Sequence, residues 1–548
     1  MGSIIEGDGI VRAKDQNQKT TVQDGKSLIR HGSVLSILTL ASRVLGLLRE
    51  MTKASLLGTT SLSDAFSVAF MIPNLFRRLF AEGSIAVAFI PTFKGYLLEE
   101  GPGSKENTKE FLSCFFTFLT FAVTLTVMLG ILITPLLVSL FGLAEIDETV
   151  FLTRLMFPFL GFISIAAFFQ GILNSLKIFS PSGLAPILLN ITAILCAYAL
   201  KDIAGNPARA MAAGILLGGF LEAAIQLPFV LRKGQYFFFT GLKKAFLNDG
   251  TRRVLFLIGP TIIGMAAYQL NDLVSTALAG NAGEGVVSSL QYSLRMQELI
   301  LGIFAVSIGT VLLPELAELA KSSRWELFSG RLLSAMNIIA LITIPITFFF
   351  LARGESLIRL LFQTRSFNED SVRLTLLAFR FHMPGLYFIA LNRILAPAFY
   401  AQSNSKSPTL AGIISFGVNM AAAFALVTPF KGGGIAFALS LASLVNTVFL
   451  LFFLRKNGQI ALGQVVKNSL FYSIKLMVFS AIALIPILFL SDPFEALFSG
   501  RNRFFSLGIP LFLMALLYGI LGVALLLVTG DRQLRALIAM MKKKANRA

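Results

Sequence analysis

The sequence predicts an all-α protein that crosses a membrane many times, and three observations support this fold class. Hydrophobic residues make up 55% of the 548 residues and charged residues only 14%, whereas soluble domains carry about 25% charged residues. The mean hydropathy is +0.77. Apolar runs of about 20 residues, long enough to cross a bilayer, recur along the whole chain. We therefore expect about fourteen transmembrane helices, arranged as two six-helix lobes around a central cavity plus two C-terminal helices.

The expected spans begin after a polar segment, residues 1–32, which lacks the apolar core of a signal peptide and is interpreted as a disordered cytoplasmic tail. The predicted spans are residues 33–57, 62–98, 111–141, 150–174, 183–201, 209–231, 253–280, 285–319, 330–351, 371–402, 408–428, 434–454, 471–490 and 506–529. The corresponding domains are the N-terminal lobe 33–231, a basic cytoplasmic loop 232–252, the C-terminal lobe 253–454, the last two helices within 455–529 and a basic cytoplasmic tail 530–548.

Lysines and arginines between the spans predict the orientation. They are concentrated in the loop 232–252, in the segment 321–331, in the segment 455–467 and in the tail 530–548. The positive-inside rule places such segments in the cytoplasm, and an even number of spans places both termini there. This bias accounts for much of the net charge of +18, so we expect no nucleic-acid partner.

An internal similarity supports the division into two lobes. The sequence Ser-Ile-Ala-Val-Ala-Phe-Ile-Pro at 84–91 matches Ser-Ile-Gly-Thr-Val-Leu-Leu-Pro at 307–314, an offset of 223 residues. Transporters are commonly built from such repeats, with the substrate site between the lobes. Chance similarity between two apolar helices is the alternative explanation.

Charged residues interrupt the first two spans. An arginine at the centre of a bilayer costs about 3 kcal/mol, so a group of them is expected only where it lines a wet or protein-walled cavity. Such a cavity would be basic and would bind an anion. These charged residues include Arg43, Arg49, Asp64, Arg77, Arg78 and Glu82.

The remaining reactive residues give no sign of an enzyme. Cys114 and Cys196 lie in apolar segments, where a packing role is common. His31 and His382 lack the spacing of metal ligands. We therefore expect no disulfide, no cofactor and neither hydrolase nor transferase activity.

The N-terminal charged block resembles the MurJ (MviN) family of lipid II flippases, which belongs to the multidrug/oligosaccharidyl-lipid/polysaccharide exporter superfamily. The resemblance covers the chain and is carried by Ser-Arg-Val-Leu-Gly at 42–46, Arg-Glu at 49–50, Ser-Asp-Ala-Phe at 63–66, Pro-Asn-Leu-Phe-Arg-Arg-Leu-Phe-Ala-Glu-Gly at 73–83 and Phe-Ile-Pro at 89–91. It implies transport of lipid II, an undecaprenyl-diphosphate-linked disaccharide-pentapeptide, from the inner to the outer leaflet of the bacterial cytoplasmic (inner) membrane by alternating access. It also implies a monomer among membrane lipids and leaves contacts with peptidoglycan synthesis and division proteins open.

The resemblance also implies the substrate-binding residues. Arg49, Arg78 with its neighbour Arg77, and Arg295 match positions that hold the diphosphate in the family, and Arg43 and Asp64 match positions that family members need. Arginine suits this task because its guanidinium binds phosphate oxygens in pairs and stays protonated.

Helical spacing adds acidic partners for two of these arginines. Glu82 follows Arg78 by four residues, and Glu298 follows Arg295 by three, so each acid can hold its arginine while the site is empty. Arg43 and Arg49 lie about 120° apart around one helix, which allows both to border one broad cavity. The alternative is that these charges form buried ion pairs that only fix helix packing.

A second group of residues concerns the coupling ion. As aligned with a sodium-binding family member, Asp272, Asn419 and Ser440 match cation ligands, but Ala423 stands where a second carboxylate would be expected. Oxygen ligands can still hold a monovalent cation weakly, so Na⁺ or H⁺ coupling stays open. The alternative role for Asp272 is that of a buried hydrogen-bond acceptor or partner of an arginine.

The sequence leaves three alternative functions open. A cation-coupled drug exporter of the same superfamily would need acidic and aromatic cavity residues, whereas the charge here is mainly basic. An exporter of another lipid-linked glycan differs only in its cargo. A scaffold of the cell-wall machinery that transports nothing does not require intramembrane arginines.

Overall fold

The computed structural model describes residues 37–78, 88–500, 502–531 and 533–535, and it describes residues 260–268 and 303–311 by their backbone alone. Several predictions therefore lie outside the described residues: the tail 1–32, Glu82, residues 84–87 of the first repeat and most of the tail 530–548. Within the described ranges every regular element is a helix, and the predicted all-helical, multi-span fold class is confirmed.

The helices follow the order of the predicted spans. They are α1 (37–57), α2 (Ser61–Arg77), α3 (Ile90–Leu98), α4 (Ser104–Ser139), α5 (Ile146–Ser175), α6 (Ser180–Ala199), α7 (Pro207–Arg232), α8 (Leu242–Leu247), α9 (Asp249–Asn281), α10 (Val286–Lys321), α11 (Trp325–Phe362), α12 (Glu369–His382), α13 (Gly385–Tyr400), α14 (Lys406–Leu454), α15 (Leu462–Leu497) and α16 (Ile509–Val528). Among the described helices, eight are long and apolar enough to cross a membrane, or nine if the bent pair α12–α13 is one span.

The structure differs from the predicted spans in three places. The span 371–402 is two helices that meet at an angle of 46°, because Pro384 lies at the junction and disfavours a continuous helix through the preceding residue. The spans 408–428 and 434–454 both lie in α14, which breaks at Lys431 (φ 46°). The loop 232–252 contains the short helix α8.

The basic loop packs on α4 through its backbone. The amide of Phe238 donates to Ser113 Oγ (3.1 Å) and the amide of Thr240 to Thr117 Oγ1 (2.9 Å). Lys244 Nζ lies 3.0 Å from Glu110 Oε1, and this hydrogen bond raises the pKa of Lys244. The loop is therefore fixed to α4, which is distant from it in the sequence, and not only to its chain neighbours.

Contacts divide the chain into two compact units. The first contains the described residues up to Glu50, together with Ala69–Thr134 and Phe151–Ile263. The second contains Met51–Val68, Pro135–Val150 and the described residues from Gly264 onward. In this division the α1–α2 turn and the α4–α5 turn group with the later helices.

In the first unit, small residues bring α6 and α7 together. Gly214 and Gly218 of α7 form a Gly-x-x-x-Gly sequence, and a Cβ at Gly214 would lie 2.8 Å from the carbonyl oxygen of Thr192 in α6. Such close backbone approach replaces the hydrophobic effect, which gives little driving force between helices in lipid. A separate aromatic core surrounds Phe89, whose ring stacks on Phe115 with centroids 4.9 Å apart.

In the second unit, the last two long helices pack against α11. Met514 of α16 and Ile487 of α15 are fully buried in one apolar cluster with Phe349 of α11. Asp531 fixes the end of α16, since it accepts hydrogen bonds from Lys475 Nζ (2.7 Å) and the Tyr472 hydroxyl (3.3 Å). The two C-terminal helices therefore belong to the second unit and not to a separate domain.

We expect Gly58→Ala to destabilise the protein. Gly58 ends α1 with φ +58°, and an added Cβ would overlap the carbonyl oxygen of Ser366. The left-handed backbone alone costs about 1–2 kcal/mol for a residue with a side chain, so the free energy of unfolding in detergent should fall by about 2 kcal/mol or more. Gly519→Ala is the control, because nothing lies within 4 Å of its added Cβ. Equal melting temperatures for the two variants would contradict the strain at Gly58.

Candidate functional site

Arg49 lies on α1 with its guanidinium almost buried. Its side chain is 13% exposed, and Nη2 donates to Glu50 Oε1 at 3.0 Å. The guanidinium carbon lies 5.4 Å from the ring centroid of Phe70, within the range of a cation–π contact. The charge of Arg49 is thus compensated by a neighbouring acid and an aromatic face within the first unit. Arg43, on the same helix, is partly buried.

Arg77 and Arg78 end the described part of α2. Arg77 Nε donates to Asn74 Oδ1 at 2.7 Å, which fixes the guanidinium near one turn of its own helix. Arg77 also lines a cavity of about 240 Å³ inside the first unit, which has both polar and apolar lining residues. Arg78 is partly buried, and its predicted partner Glu82 lies outside the described residues.

Arg295 lies on α10 in the second unit and forms the ion pair that its spacing predicts. Its Nη1 lies 3.3 Å from Glu298 Oε2, and the arginine side chain is 30% exposed. Its Nε atom is buried and has no hydrogen-bond partner among the described residues. The guanidinium therefore keeps donor capacity that its acidic neighbour does not use.

Asp64 caps a distant helix and does not pair with the arginines in its described contacts. Its Oδ2 accepts from the amide of Gly285 (2.7 Å) and its Oδ1 from the amide of Ser288 (2.8 Å), at the start of α10. The residue is 2% exposed. A carboxylate at this position satisfies two otherwise unpaired amides and complements the positive end of the helix dipole.

Lys53 is a charged group of the same region that the sequence reasoning missed. It is 2% exposed, and its Nζ donates to Ser67 Oγ (2.6 Å) and Gln291 Oε1 (3.2 Å). The Tyr292 ring centroid lies 4.7 Å from Nζ. The sequence contains the signal that identifies this residue: Lys53 lies inside the predicted first span, where its charge is as costly as that of the arginines.

The candidate cation ligands have the following contacts. Asn419 Nδ2 donates to Asn271 Oδ1 (2.6 Å) and to Ser275 Oγ (3.3 Å), so α9 presents Asn271 to α14 next to the predicted Asp272. The Ser440 hydroxyl donates to the carbonyl of Phe381 at 2.7 Å. Asn419 Oδ1 is buried with no hydrogen-bond partner among the described residues. These contacts provide a neutral oxygen acceptor that a monovalent cation can use.

Comparison with known proteins gives consistent results. The family model described as "Lipid II flippase MurJ" matches residues 53–504. The chain is 48% identical over 511 residues to a protein of Treponema pallidum named "Probable lipid II flippase MurJ", covering 92% of this chain and 96% of that protein. It is 31% identical over 444 residues to the "Lipid II flippase MurJ" of Burkholderia cenocepacia, covering 79% and 84%.

Two solved structures are similar to this fold. The structure "Lipid II flippase MurJ, inward closed conformation" aligns with a TM-score of 0.73 and 25% identity over 90% of this chain and 98% of that chain. An inward-facing multidrug resistance MATE family transporter of the MOP superfamily aligns with a TM-score of 0.63 and 14% identity, over 79% and 99%. The second similarity shows a shared fold.

We expect Asp64→Ala to lower the free energy of unfolding by about 3 kcal/mol, because hydrogen bonds to a charged group contribute about 1.5–3 kcal/mol and two buried amides lose their acceptor. The control is Glu284→Ala, which removes the more exposed reciprocal bond from the Ser61 amide to Glu284 Oε1 (2.8 Å) and should cost less than about 1 kcal/mol. Unfolding in detergent measures both. Equal losses would contradict a special role for the buried cap.

Proposed function

Because this chain belongs to the MurJ family of lipid II flippases, we propose that Arg49, the Arg77–Arg78 pair and Arg295 hold the diphosphate of lipid II during transport. The protein is a multi-span membrane transporter of peptidoglycan biosynthesis and not an enzyme. The residue roles come from the family positions that these arginines match. Their physical surroundings support the same roles.

The observation that best supports the proposal is how the positive charge of Arg49 is compensated. A diphosphate loses favourable hydration when it leaves water, so fixed donors must replace that hydration. The guanidinium of Arg49 is almost buried, and its acidic neighbour Glu50 contacts it through Oε1 at 3.0 Å. Glu298 likewise contacts Arg295 through one oxygen at 3.3 Å. Such single contacts can be exchanged for the two oxygens that a phosphate presents to each arginine.

We assign a different role to Asp64. Its two hydrogen bonds to backbone amides at the start of α10 are short and buried. A backbone amide is fixed in its helix, whereas a side chain can rotate away. Together with Lys53, it attaches the α1–α2 turn to α10 within the second unit. On the predicted orientation this turn faces the outside of the cell. Alternating access then requires these bonds to break when the outer side opens.

The location and topology complete the proposal. We propose that the protein acts as a monomer among the lipids of the bacterial cytoplasmic membrane, with both termini in the cytoplasm and with two lobes that rock about the substrate. The basic loop around Lys244 supports this orientation under the positive-inside rule. The enzymes that synthesise lipid II and those that consume it at the outer face are the expected functional neighbours.

The surroundings of Asn419 favour membrane potential over a sodium gradient as the source of energy. The neighbouring side chains Asn271 and Ser275 are neutral, and Ala423, one turn after Asn419, is buried and offers no ligand. Moving one elementary charge through 100 mV provides about 2.3 kcal/mol. An arginine-lined cavity carries that charge whenever it is empty, so an inside-negative potential favours its return to the cytoplasmic side.

The arginine proposal predicts selective loss of transport. Arg49→Ala, Arg77→Ala and Arg295→Ala should each abolish rescue of cells depleted of their own lipid II flippase, because truncating one partner of a desolvated charge pair costs about 2–5 kcal/mol. Lysine at these positions should rescue partly, since a point charge replaces a two-pronged donor. Arg324→Ala is the control: this arginine is 52% exposed and pairs with Glu318. Full rescue by the three alanine variants, each present in the membrane at the normal level, would refute the diphosphate clamp.

The coupling proposal predicts transport that depends on voltage. In proteoliposomes at fixed membrane potential, replacing sodium by potassium or choline should change the flipping rate by less than about twofold, whereas collapsing an inside-negative potential of 100 mV should slow it by about tenfold or more. Asp272→Asn should slow flipping under all ionic conditions, because an intramembrane acid has a required partner. A strict sodium requirement at fixed voltage would show that Asn419 and its neighbours form a working sodium site.

A further inference from the structure

The cavity beside Arg77 lies wholly within the first unit. It is formed by α2, α5, α6 and α7 together with the start of α3, and its volume is about 240 Å³. This is well above the space that one ordered water needs, so the cavity can hold several waters or one group of the size of a sugar ring. A single bound ion would leave most of this space unfilled.

One wall of the cavity is built from oxygen acceptors on α7. Glu222 is 3% exposed and Gln226 is 1% exposed. Gln226 Nε2 donates to the backbone carbonyl of Glu222 at 3.0 Å, which turns the Oε1 atom away from its own helix. That Oε1 is buried and has no hydrogen-bond partner among the described residues. An unpaired buried acceptor is unfavourable unless a ligand or water donates to it.

Two other helices add polar side chains to the lining. Gln170 and Asn174 of α5 line it, as does Ser182 of α6. The Ser182 hydroxyl donates to Asn174 Oδ1 at 3.4 Å, so this pair has one weak bond of its own. Amide and carboxylate side chains around a small cavity suit a neutral ligand with several hydroxyl or amide N–H donors. A phosphate or carboxylate would suit the acceptor Oε1 of Gln226 less well, because an anion of this kind brings no donor.

Arg77 determines which part of the substrate comes here. Arg77 lines the same cavity, and under the proposed function it holds a phosphate of lipid II. The first sugar of the headgroup is bonded directly to that diphosphate, so it is the nearest neutral, donor-rich group to a phosphate on Arg77. The pentapeptide begins further along the molecule, on a substituent of that sugar.

We infer that the cavity of Arg77, Asn174, Glu222 and Gln226 is the binding site of the first sugar of the lipid-linked headgroup. Hydroxyl and acetamido N–H groups of the sugar donate to Glu222 and to Gln226 Oε1, while Arg77 binds the adjoining phosphate. The inference rests on the proposed function of Arg77 as a phosphate ligand. It adds recognition of the saccharide, which the diphosphate clamp does not provide.

The test measures the affinity of the purified full-length protein for three lipids. They are undecaprenyl diphosphate, which has no sugar; undecaprenyl-diphosphate-linked N-acetylglucosamine, which has a sugar and no peptide; and lipid II. The variants are Glu222→Gln, Gln226→Leu and Asn174→Ala, and Ser164→Ala is the control. Ser164 is a buried hydroxyl of α5 without a hydrogen-bond partner among the described residues, outside the cavity lining.

Gln226→Leu and Glu222→Gln should each weaken binding of the two sugar-bearing lipids by about tenfold, the effect of about one lost hydrogen bond. Binding of undecaprenyl diphosphate should stay within about twofold, and Ser164→Ala should leave all three affinities unchanged. If the melting temperature shows that Gln226→Leu does not fold, Asn174→Ala is used in its place. It should weaken binding of the two sugar-bearing lipids by about threefold. Arg77→Ala should weaken all three lipids.

Each other outcome overturns the inference. Unchanged affinity for both sugar-bearing lipids means that the cavity holds only water. A loss confined to lipid II assigns the cavity to the peptide, and an equal loss for all three lipids means that the variants act on the phosphate site or on the fold. Failure of the proposed function is recognised separately: Arg77→Ala would then leave undecaprenyl diphosphate binding unchanged, whatever the cavity variants do.

Discussion

Charge buried in an apolar helix bundle is the constraint on which this structure depends, because each such charge needs a compensating group nearby. The described compensations are of two kinds. Asp64 accepts from backbone amides at the start of α10, and these donors are fixed to their helix. Arg49 and Arg295 contact acidic side chains, which can rotate away. The first kind suits a contact that holds one conformation together, and the second suits a site that exchanges an internal partner for a substrate.

The same constraint relates charge to the transport cycle. An empty site lined by arginines is positive, and a bound diphosphate neutralises much of that charge. Membrane potential therefore acts more strongly on the empty protein than on the loaded one. The hydrogen-bond partners Asn271 and Ser275 of Asn419 are neutral, so these two contacts supply no negative charge to a sodium ion. Under the proposed arginine clamp, voltage and cargo charge would together give the cycle a direction without that ion.

The spans could be predicted from sequence because crossing a membrane depends on local apolarity. Pro384 likewise indicates the break between α12 and α13. Lys53 and Glu222 could have been found by the criterion that identified the arginines. The role of Asp64 could not, since its partner amides lie more than 200 residues away. The hydrogen bond of Asn419 to Asn271, next to the predicted Asp272, could not have been predicted either. Adjacent residues point about 100° apart on a helix, and only packing determines which of them faces α14.

Selectivity is the remaining physical question for a site of this kind. Arginines bind the diphosphate of any polyprenyl carrier, so charge alone cannot distinguish lipid II from its bare carrier lipid. Discrimination by a large factor requires buried polar groups that stay unpaired when the wrong substrate binds. Gln226 Oε1 is such a group, and it lies in the cavity that Arg77 lines. A carrier lipid without a sugar would satisfy the arginine and leave this acceptor unpaired. The clamp would then supply most of the affinity, and the acceptors of the cavity that Arg77 lines would supply the choice of cargo.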